Sequence, residues 1–495
     1  MMMTVNKYLP TPLAILAFLV SFLLIYMAGV PILQDYDMGW HIASGDLIRA
    51  SGFIPEKTTY SNSGGEDMWY SHSWLWDIII SFIHEKSGVK GLYIFSVIFP
   101  SLVVATLIGA LSKRHDIGVN AMIFTSLIAA YCLREFATGR PQIAGILLAL
   151  IFYNILNSYR MRNDIRKLFV LPLLMMIWVN IHGSFIVGYT ILGAFGLEAI
   201  FRKKWKCLIS MLTVGIFCLF AALINPYGID LIYFIINTRE SVITQYITEW
   251  HPFVFGEVIG ATFLMLAFVL FVDIRKNNSH LADIILAFIW LTAMFFSIRN
   301  VGFAAILCAP YLAANLPADD LKDKNTRSLL EWIRNKRLSP VMTSLTIISV
   351  IASYFTLTIM GKEHYLEQAD KSPLPAIEYV MKNYPDKKLL NDYDFGGRII
   401  YESGGKLPVF IDGRANAAYN EKLLSDFIDF FLLNEGWQEK MDSYGVEIIL
   451  IKNGRDFAKY YERGLFHDEW QEVFRDDVAS VYVRKDSTVK EIIKN

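Results

Sequence analysis

Charge is scarce in this chain. Only 19% of its 495 residues are Asp, Glu, Lys or Arg, against 54% apolar and 14% aromatic, a balance outside the range of an ordinary soluble enzyme. A basic excess is missing as well: the formal net charge is -1, which leaves no electrostatic footprint for phosphate backbones and excludes a nucleic-acid partner. Cysteine is sparse. Cys132, Cys207, Cys218 and Cys308 fall within or beside apolar segments without metal-type spacing, so they read as small core residues and leave the redox compartment unread. No histidine pair has the H-x-x-x-H spacing, so a zinc centre is not expected. There is also no internal repeat of fixed period and no low-complexity tract.

Long apolar runs are what the chain has in abundance. A helix needs about 20 residues to cross the hydrocarbon layer, and about eleven windows qualify. They lie near 11–31, 89–111, 118–133, 141–158, 168–181, 184–201, 207–224, 257–273, 280–297, 301–316 and 340–360. The first ends in Pro31-Ile32-Leu33, not a small-residue cleavage site, so it reads as an uncleaved anchor. Alternating the connections places 19 Lys and Arg on the side of the N-terminus and 8 on the opposite side up to the last span. Basic residues accumulate on the cytoplasmic side, so the N-terminus is expected inside and everything after about residue 361 outside. The expectation is therefore a multi-pass protein of the cytoplasmic (inner) membrane. An all-α polytopic membrane domain over 1–361, with a long first outward loop at 34–90, is followed by a small α/β extracytoplasmic domain over 362–495. In that tail the pattern predicts helices near 375–383, 421–433 and 456–463, and apolar strand-like runs at 388–390, 408–411, 446–451 and 478–483. The charged segment 318–339 reads as a cytoplasmic connector.

The outward connections differ from the inward ones in kind. Inward loops are basic and plain. Outward ones hold Asp35, Asp37, His41, His72, Arg134, Arg140, His182, Asn225, Glu249, His251, Arg299 and Asn300, and ionisable groups at a membrane boundary are functional candidates by default. The first loop opens with Asp35-Tyr36-Asp37-Met38-Gly39-Trp40-His41. Two carboxylates two residues apart at a helix exit can serve as a general base, as metal ligands or as a helix N-cap. Segments 40–50 and 69–84 suit helices lying in the interface plane. Arg134, Arg140 in Gly139-Arg140-Pro141-Gln142, and Arg299 stand at outer helix ends, where guanidinium groups suit a phosphate at headgroup depth or snorkel as anchors. His182 and His251 read as hydrogen-bonding or positioning residues.

These residues carry a resemblance. The acidic pair after the first span, the long first outward loop, about eleven spans and an extracytoplasmic tail resemble the GT-C superfamily of glycosyltransferases. That group includes protein O-mannosyltransferases, the aminoarabinose transferase acting on lipid A, and the catalytic subunit of oligosaccharyltransferase. The runs Asp35-Tyr36-Asp37 through His41, Gly139–Gln142, Asn180–Phe185, Asn225–Gly228 and Phe410-Ile411-Asp412-Gly413-Arg414 look similar to uncharacterised bacterial members. The resemblance implies a polyprenyl-phosphate or diphosphate sugar donor, membrane lipids around it, and a protein, lipid or glycan acceptor. By it Asp37, with Asp35 second, takes the active-site place, and Arg134, Arg140, Arg299 and His182 meet the donor phosphate. His41, His72, Glu249, His251, Asp394, Asp412 and Arg414 are acceptor-side or supporting. Asn391-Asp392-Tyr393-Asp394-Phe395-Gly396-Gly397 stands where oligosaccharyltransferase has its Trp-Trp-Asp-Tyr-Gly motif, without the two tryptophans; a Gly-Gly turn ending a strand gives the same pattern. A divalent metal, Mg2+ or Mn2+ on Asp35, Asp37 and Glu249, stays open. The rival classes are a transporter or lipid flippase, and a non-catalytic envelope assembly component.

Overall fold

The computed structural model describes residues 12–28, 35, 37–64, 67–114, 117–252, 280–316 and 372–485. The expected spans at 257–273 and 340–360 and the connector at 318–339 lie outside the described residues. The chain divides into two compact units. One gathers Met1–Val30, Tyr93–Asn225 and Thr248–Glu363; the other gathers Pro31–Leu92, Pro226–Ile247 and His364–Asn495. Most of the long first outward loop thus groups with the C-terminal tail.

Within the described residues, a helix stands at every position where an apolar window predicts one. The helices are α1 (Pro12–Ala28), α2 (Met38–Ser51), α3 (Trp74–Leu111), α4 (Val119–Leu133), α5 (Gln142–Arg162), α6 (Val170–Val179), α7 (Ile186–Phe201), α8 (Trp205–Ala222), α9 (Ile229–Asn237) and α10 (Leu281–Phe296). The window at 301–316 is two short helices, α11 (Val301–Leu307) and α12 (Ala309–Asn315), because Pro310 in the first turn of α12 cannot donate the hydrogen bond that would continue α11. Four segments are long and apolar enough to cross a bilayer: Trp74–Leu111, Gln142–Arg162, Gly183–Phe201 and Trp205–Ala222. The first is interrupted at Gly88, whose φ of 60° and ψ of -161° are non-helical. Glycine reaches that region without a Cβ penalty, so the interfacial stretch and the span predicted on either side of it are separate helical pieces.

The helical unit buries a charged cluster. Asp283 on α10 accepts from Arg114 Nη1 at 2.5 Å and from Tyr153 Oη at 2.8 Å, with Arg160 Nη2 at 3.5 Å. Glu198 on α7 faces Arg160 Nη1 at 3.3 Å and accepts the Ala282 N–H at 2.8 Å. Each carboxylate is thus neutralised and hydrogen-bonded, as burial of a charge demands.

The second unit is built on a four-stranded sheet, β1 (Leu389–Asn391), β2 (Ile448–Lys452), β3 (Trp470–Arg475) and β4 (Ala479–Arg484), in the order β1-β2-β4-β3. β1 and β2 are parallel and the other pairs antiparallel. Alternate side chains of a strand point to opposite faces, and both faces here are covered. Leu389, Ile448, Leu450 and Val481 pack with α13 (Leu374–Asn383) and α14 (Gly396–Glu402). Leu390, Ile449, Ile451 and Tyr482 pack with α15 (Glu421–Leu432), α16 (Trp437–Tyr444) and α17 (Asp456–Glu462). That is why β2 reads as the unbroken apolar run Ile448-Ile449-Leu450-Ile451. The first loop completes both cores: Trp40 of α2 joins the first and Trp69 the second. α2 also lies directly on α14, since a Cβ at Gly39 would fall inside contact distance of the Gly397 carbonyl.

Two expectations for the tail are corrected, and two elements are added. The run at 408–411 is not a strand of the sheet; Val409 makes a single bridge to Ser61 of the first loop, exchanging hydrogen bonds with Tyr60 O and Asn62 N at 2.9 Å. Gly396-Gly397 open helix α14 and do not end a strand as a turn, because α14 must approach both Gly39 and the Ile411 carbonyl where a side chain would not fit. β3 and α16 have no counterpart in the sequence pattern, since the adjacent polar pair Gln471-Glu472 breaks the alternation that would mark β3 at the sheet edge.

Candidate active site

Asp35 and Asp37 divide the tasks that the sequence left open. Asp35 Oδ1 accepts the backbone N–H of Asp37 at 2.9 Å. Asp37 stands at the N-cap of α2, yet its side chain makes no capping bond; Oδ1 instead accepts from Trp40 Nε1 at 3.1 Å. The capping reading is therefore corrected for Asp37. Its half-buried carboxylate is directed by an indole one turn along the helix.

The loop after 408 meets that carboxylate. A Cβ on Gly413 would overlap Asp37 Oδ1, so only glycine lets the loop pass here without moving the acid. The loop is fixed from the sheet. Asn391 at the end of β1 accepts the Phe410 N–H and donates to the Ile411 carbonyl, both at 2.8 Å, and is buried. On either side of Gly413, Asp412 and Arg414 form a buried bidentate pair, Nε to Oδ1 at 2.8 Å and Nη2 to Oδ2 at 2.6 Å. Tyr419 Oη donates to Asp412 Oδ2 at 2.6 Å. The guanidinium also lies over the Trp69 ring at 4.5 Å. Burial opposes the Arg414 charge, but Asp412 and Tyr419 more than offset it, so the group is held more firmly protonated than usual. Burial, then the Asp412 charge, pushes the Tyr419 phenol well above its ordinary range. Nearby Tyr60 is pushed up to about 12, by burial first, with Arg414 pulling the other way.

Sequence reasoning missed the partner of His41. Its Nδ1 lies 2.6 Å from Asp77 Oδ1, and Ser44 and Ser73 donate to the same carboxylate at 2.9 and 3.2 Å. Asp77 is fully buried in the first turn of α3. An acid in a first turn is common for dipole reasons alone, so nothing in the sequence singles it out. His72 is elsewhere in the unit, with Nδ1 3.2 Å from Tyr70 O and its ring near Phe234. Asp394 pairs with Lys452, and Asp392 with Arg455 at 2.6 and 2.8 Å, at the carboxyl ends of β1 and β2.

The helical unit gathers a second group. Arg140 Nη1 reaches Glu249 Oε1 at 2.5 Å, Arg299 lies over the Trp250 ring at 5.1 Å, and Gln142 donates to the Arg299 carbonyl at 2.9 Å. The His251 carbonyl accepts the Ile298 N–H at 3.1 Å. The Arg140 guanidinium, followed by Arg299, holds the Glu249 carboxyl below its ordinary range. Three motifs far apart in sequence thus converge on one polar patch. His182 is the N-cap of the turn before α7, its Nδ1 accepting the Ser184 N–H at 3.1 Å, and Arg134 lies over the Tyr131 ring at 4.1 Å.

No family model matches the chain, and no curated protein matches it in sequence. Solved structures do. The oligosaccharyltransferase AglB of Archaeoglobus fulgidus, in complex with an inhibitory peptide and a dolichol-phosphate, superposes with a TM-score of 0.59 at 12% identity, over 96% of this chain and 74% of that one. ArnT of Cupriavidus metallidurans, bound to undecaprenyl phosphate, gives 0.55 at 13% identity, over 96% and 98%. These neighbours are GT-C glycosyltransferases, and the chain shares their fold. A further GT-C structure, the Archaeoglobus fulgidus oligosaccharyltransferase in complex with Zn and sulfate, gives 0.51 at 10% identity over 88% and 68%. Among the described residues of this chain, no group of three or more His, Cys, Asp or Glu is placed to hold a metal. Asp35 and Asp37 offer hard-cation donors on one turn, whereas Glu249 belongs to the other unit and is paired with Arg140.

Proposed function

We propose that this protein is an integral membrane glycosyltransferase that moves a sugar from a polyprenyl-phosphate or polyprenyl-diphosphate donor to an acceptor on the extracytoplasmic face. The reading rests above all on the Asp37 carboxylate, oriented by Trp40 and backed by Gly413. The GT-C fold and the lipid phosphates named with its AglB and ArnT relatives support it. So does the sequence pattern of about eleven spans with the N-terminus inside.

In this mechanism Asp37 takes the proton of the acceptor hydroxyl as the acceptor oxygen bonds to the anomeric carbon. The bond from that carbon to the lipid phosphate oxygen breaks, and its electron pair leaves with the phosphate. Asp35 is second choice for the base and orients the Asp37 backbone. Arg140 and Arg299, with Arg134 and His182, are the groups for the donor phosphate, since guanidinium stays charged and pairs bidentately with it. Asp412 and Arg414 act as buried supports of the loop that carries Gly413. His72, His251 and Asp394 are acceptor-side or supporting residues.

Membranes containing the protein, incubated with labelled polyprenyl-phosphate sugars, should transfer label. Asp37→Asn should abolish transfer at normal protein levels, and retained turnover would remove Asp37 from the role of base. Chelation followed by Mg2+ or Mn2+ tells whether a metal takes part. A second reading, transport or lipid flipping, is favoured by one observation: the buried Arg114, Asp283, Arg160 and Glu198 cluster inside the helices. It predicts lipid movement across vesicles that Asp283→Asn abolishes and Asp37→Asn leaves intact.

A further inference from the structure

Asp37 is held by a chain of contacts longer than its own helix turn. Trp40 donates to it through Nε1 at 3.1 Å. The Trp40 ring stacks on the His41 ring, centroids 3.6 Å apart and planes 29° from parallel. His41 in turn donates Nδ1–H to Asp77 at 2.6 Å, since a carboxylate only accepts. Ser44 and Ser73 fix both Asp77 oxygens. Trp40, His41 and Asp77 are all buried, Asp77 completely, so the chain is shielded from competing water.

Two adjacent residues of a helix diverge by about 100° in direction, so stacked rings at 40 and 41 need an outside restraint. Asp77 supplies it. The carboxylate fixes the plane of the imidazole, the imidazole face limits the tilt of the indole, and the indole N–H aims one oxygen of Asp37. The indole also belongs to the buried core that includes Phe395 and Ile399. α2 stays close enough to α3 for this because a Cβ at Gly45 would collide with the Asp77 carbonyl.

We propose that Asp77 is a positioning residue for Asp37, acting through the His41 ring and the Trp40 indole. The proposal rests on the reading of Asp37 as the base, but its structural core can be tested without any turnover. The full-length chain labelled with 5-fluorotryptophan in detergent should show a 19F resonance for Trp40, assigned by its loss in Trp40→Phe. Asp37→Asn and Asp77→Asn should each shift that resonance, as both ends of the chain are coupled to the indole. Should Asp77→Asn fail to fold, Ser44→Ala removes one bond to Asp77 and should shift it less. A Trp40 resonance unmoved by Asp77→Asn, or by Ser44→Ala if only that variant folds, overturns the proposal. In the transfer assay, Asp77→Asn and Trp40→Phe should lower kcat on the order of 10- to 100-fold while leaving donor KM within about twofold. Asp77→Glu should recover part of kcat. Equal kcat in wild type and Asp77→Asn also overturns the proposal. A wild-type protein inactive on such donors, with the resonance still coupled to Asp77, would overturn the transferase reading and leave the positioning chain standing.

Discussion

Gly413 and Asp37, 376 positions apart in the sequence, touch: the space a Cβ would need on Gly413 is occupied by the Asp37 carboxylate. The obstruction is the end of a side chain rather than backbone, so it can yield by rotating. Gly413→Ala should therefore melt within about 1 kcal/mol of wild type yet lose turnover on the order of 10- to 100-fold by misplacing the acid. Parallel thermal melts and transfer rates check this, and wild-type turnover in the alanine variant would show that the Asp37 orientation is immaterial.

Gly39→Ala should behave in the opposite way. Its Cβ would meet the backbone carbonyl of Gly397, which cannot rotate aside, so α2 and α14 must separate. A loss of about 1–3 kcal/mol or more is expected from such overpacking. Denaturation of the full-length protein in detergent measures it.

Removing Arg414 leaves Asp412 a buried carboxylate with the Tyr419 hydroxyl as its remaining side-chain partner. Arg414→Ala should cost about 3–5 kcal/mol. The double variant with Asp412→Ala should be less unstable than the sum of the two single variants, because both charges are then gone. Additive losses would deny the coupling.

Trp69 closes one face of the C-terminal sheet from the first loop and lies under Arg414. Trp69→Ala should destabilise the unit by about 3–5 kcal/mol. Limited proteolysis should then cut the tail sooner, although the substitution is more than 290 residues before it in the sequence.

Glu249 provides a pH test. Its carboxyl is held below the ordinary value of 4.5 by Arg140 first, then Arg299. A depressed carboxyl contributes stability above its unfolded pKa, and loses it as pH falls through the folded one. Wild-type melting temperature should therefore fall on the acid side below about pH 4.5, and Arg140→Gln should flatten that step. Parallel acid-side profiles would refute the ion pair.

Much of this was legible beforehand because it depends on local pattern. Apolar windows located the helices, since the bilayer sets their length and composition. The helix after Asp37 followed from the spacing of Ile42, Leu47 and Ile48 on one side of the chain. Sorting of charged and aromatic residues between connections singled out Asp37, Arg140, Glu249 and Arg299. The roles within that set were not legible. Asp35 and Asp37 are alike in sequence, and only the placement of Trp40 Nε1 distinguishes them. Asp77 was overlooked because a lone acid opening an apolar helix has an ordinary explanation.

Composition and periodicity by themselves determined that this is a helical membrane protein with a compact α/β tail, because hydrophobic burial and backbone hydrogen bonding act through near neighbours along the chain. Tertiary structure alone decided that the first loop and the tail share one core, that Arg140 meets Glu249, and that Gly413 rests on Asp37. Those are pairings between distant segments, chosen by shape and charge complementarity, and no spacing along the chain encodes them.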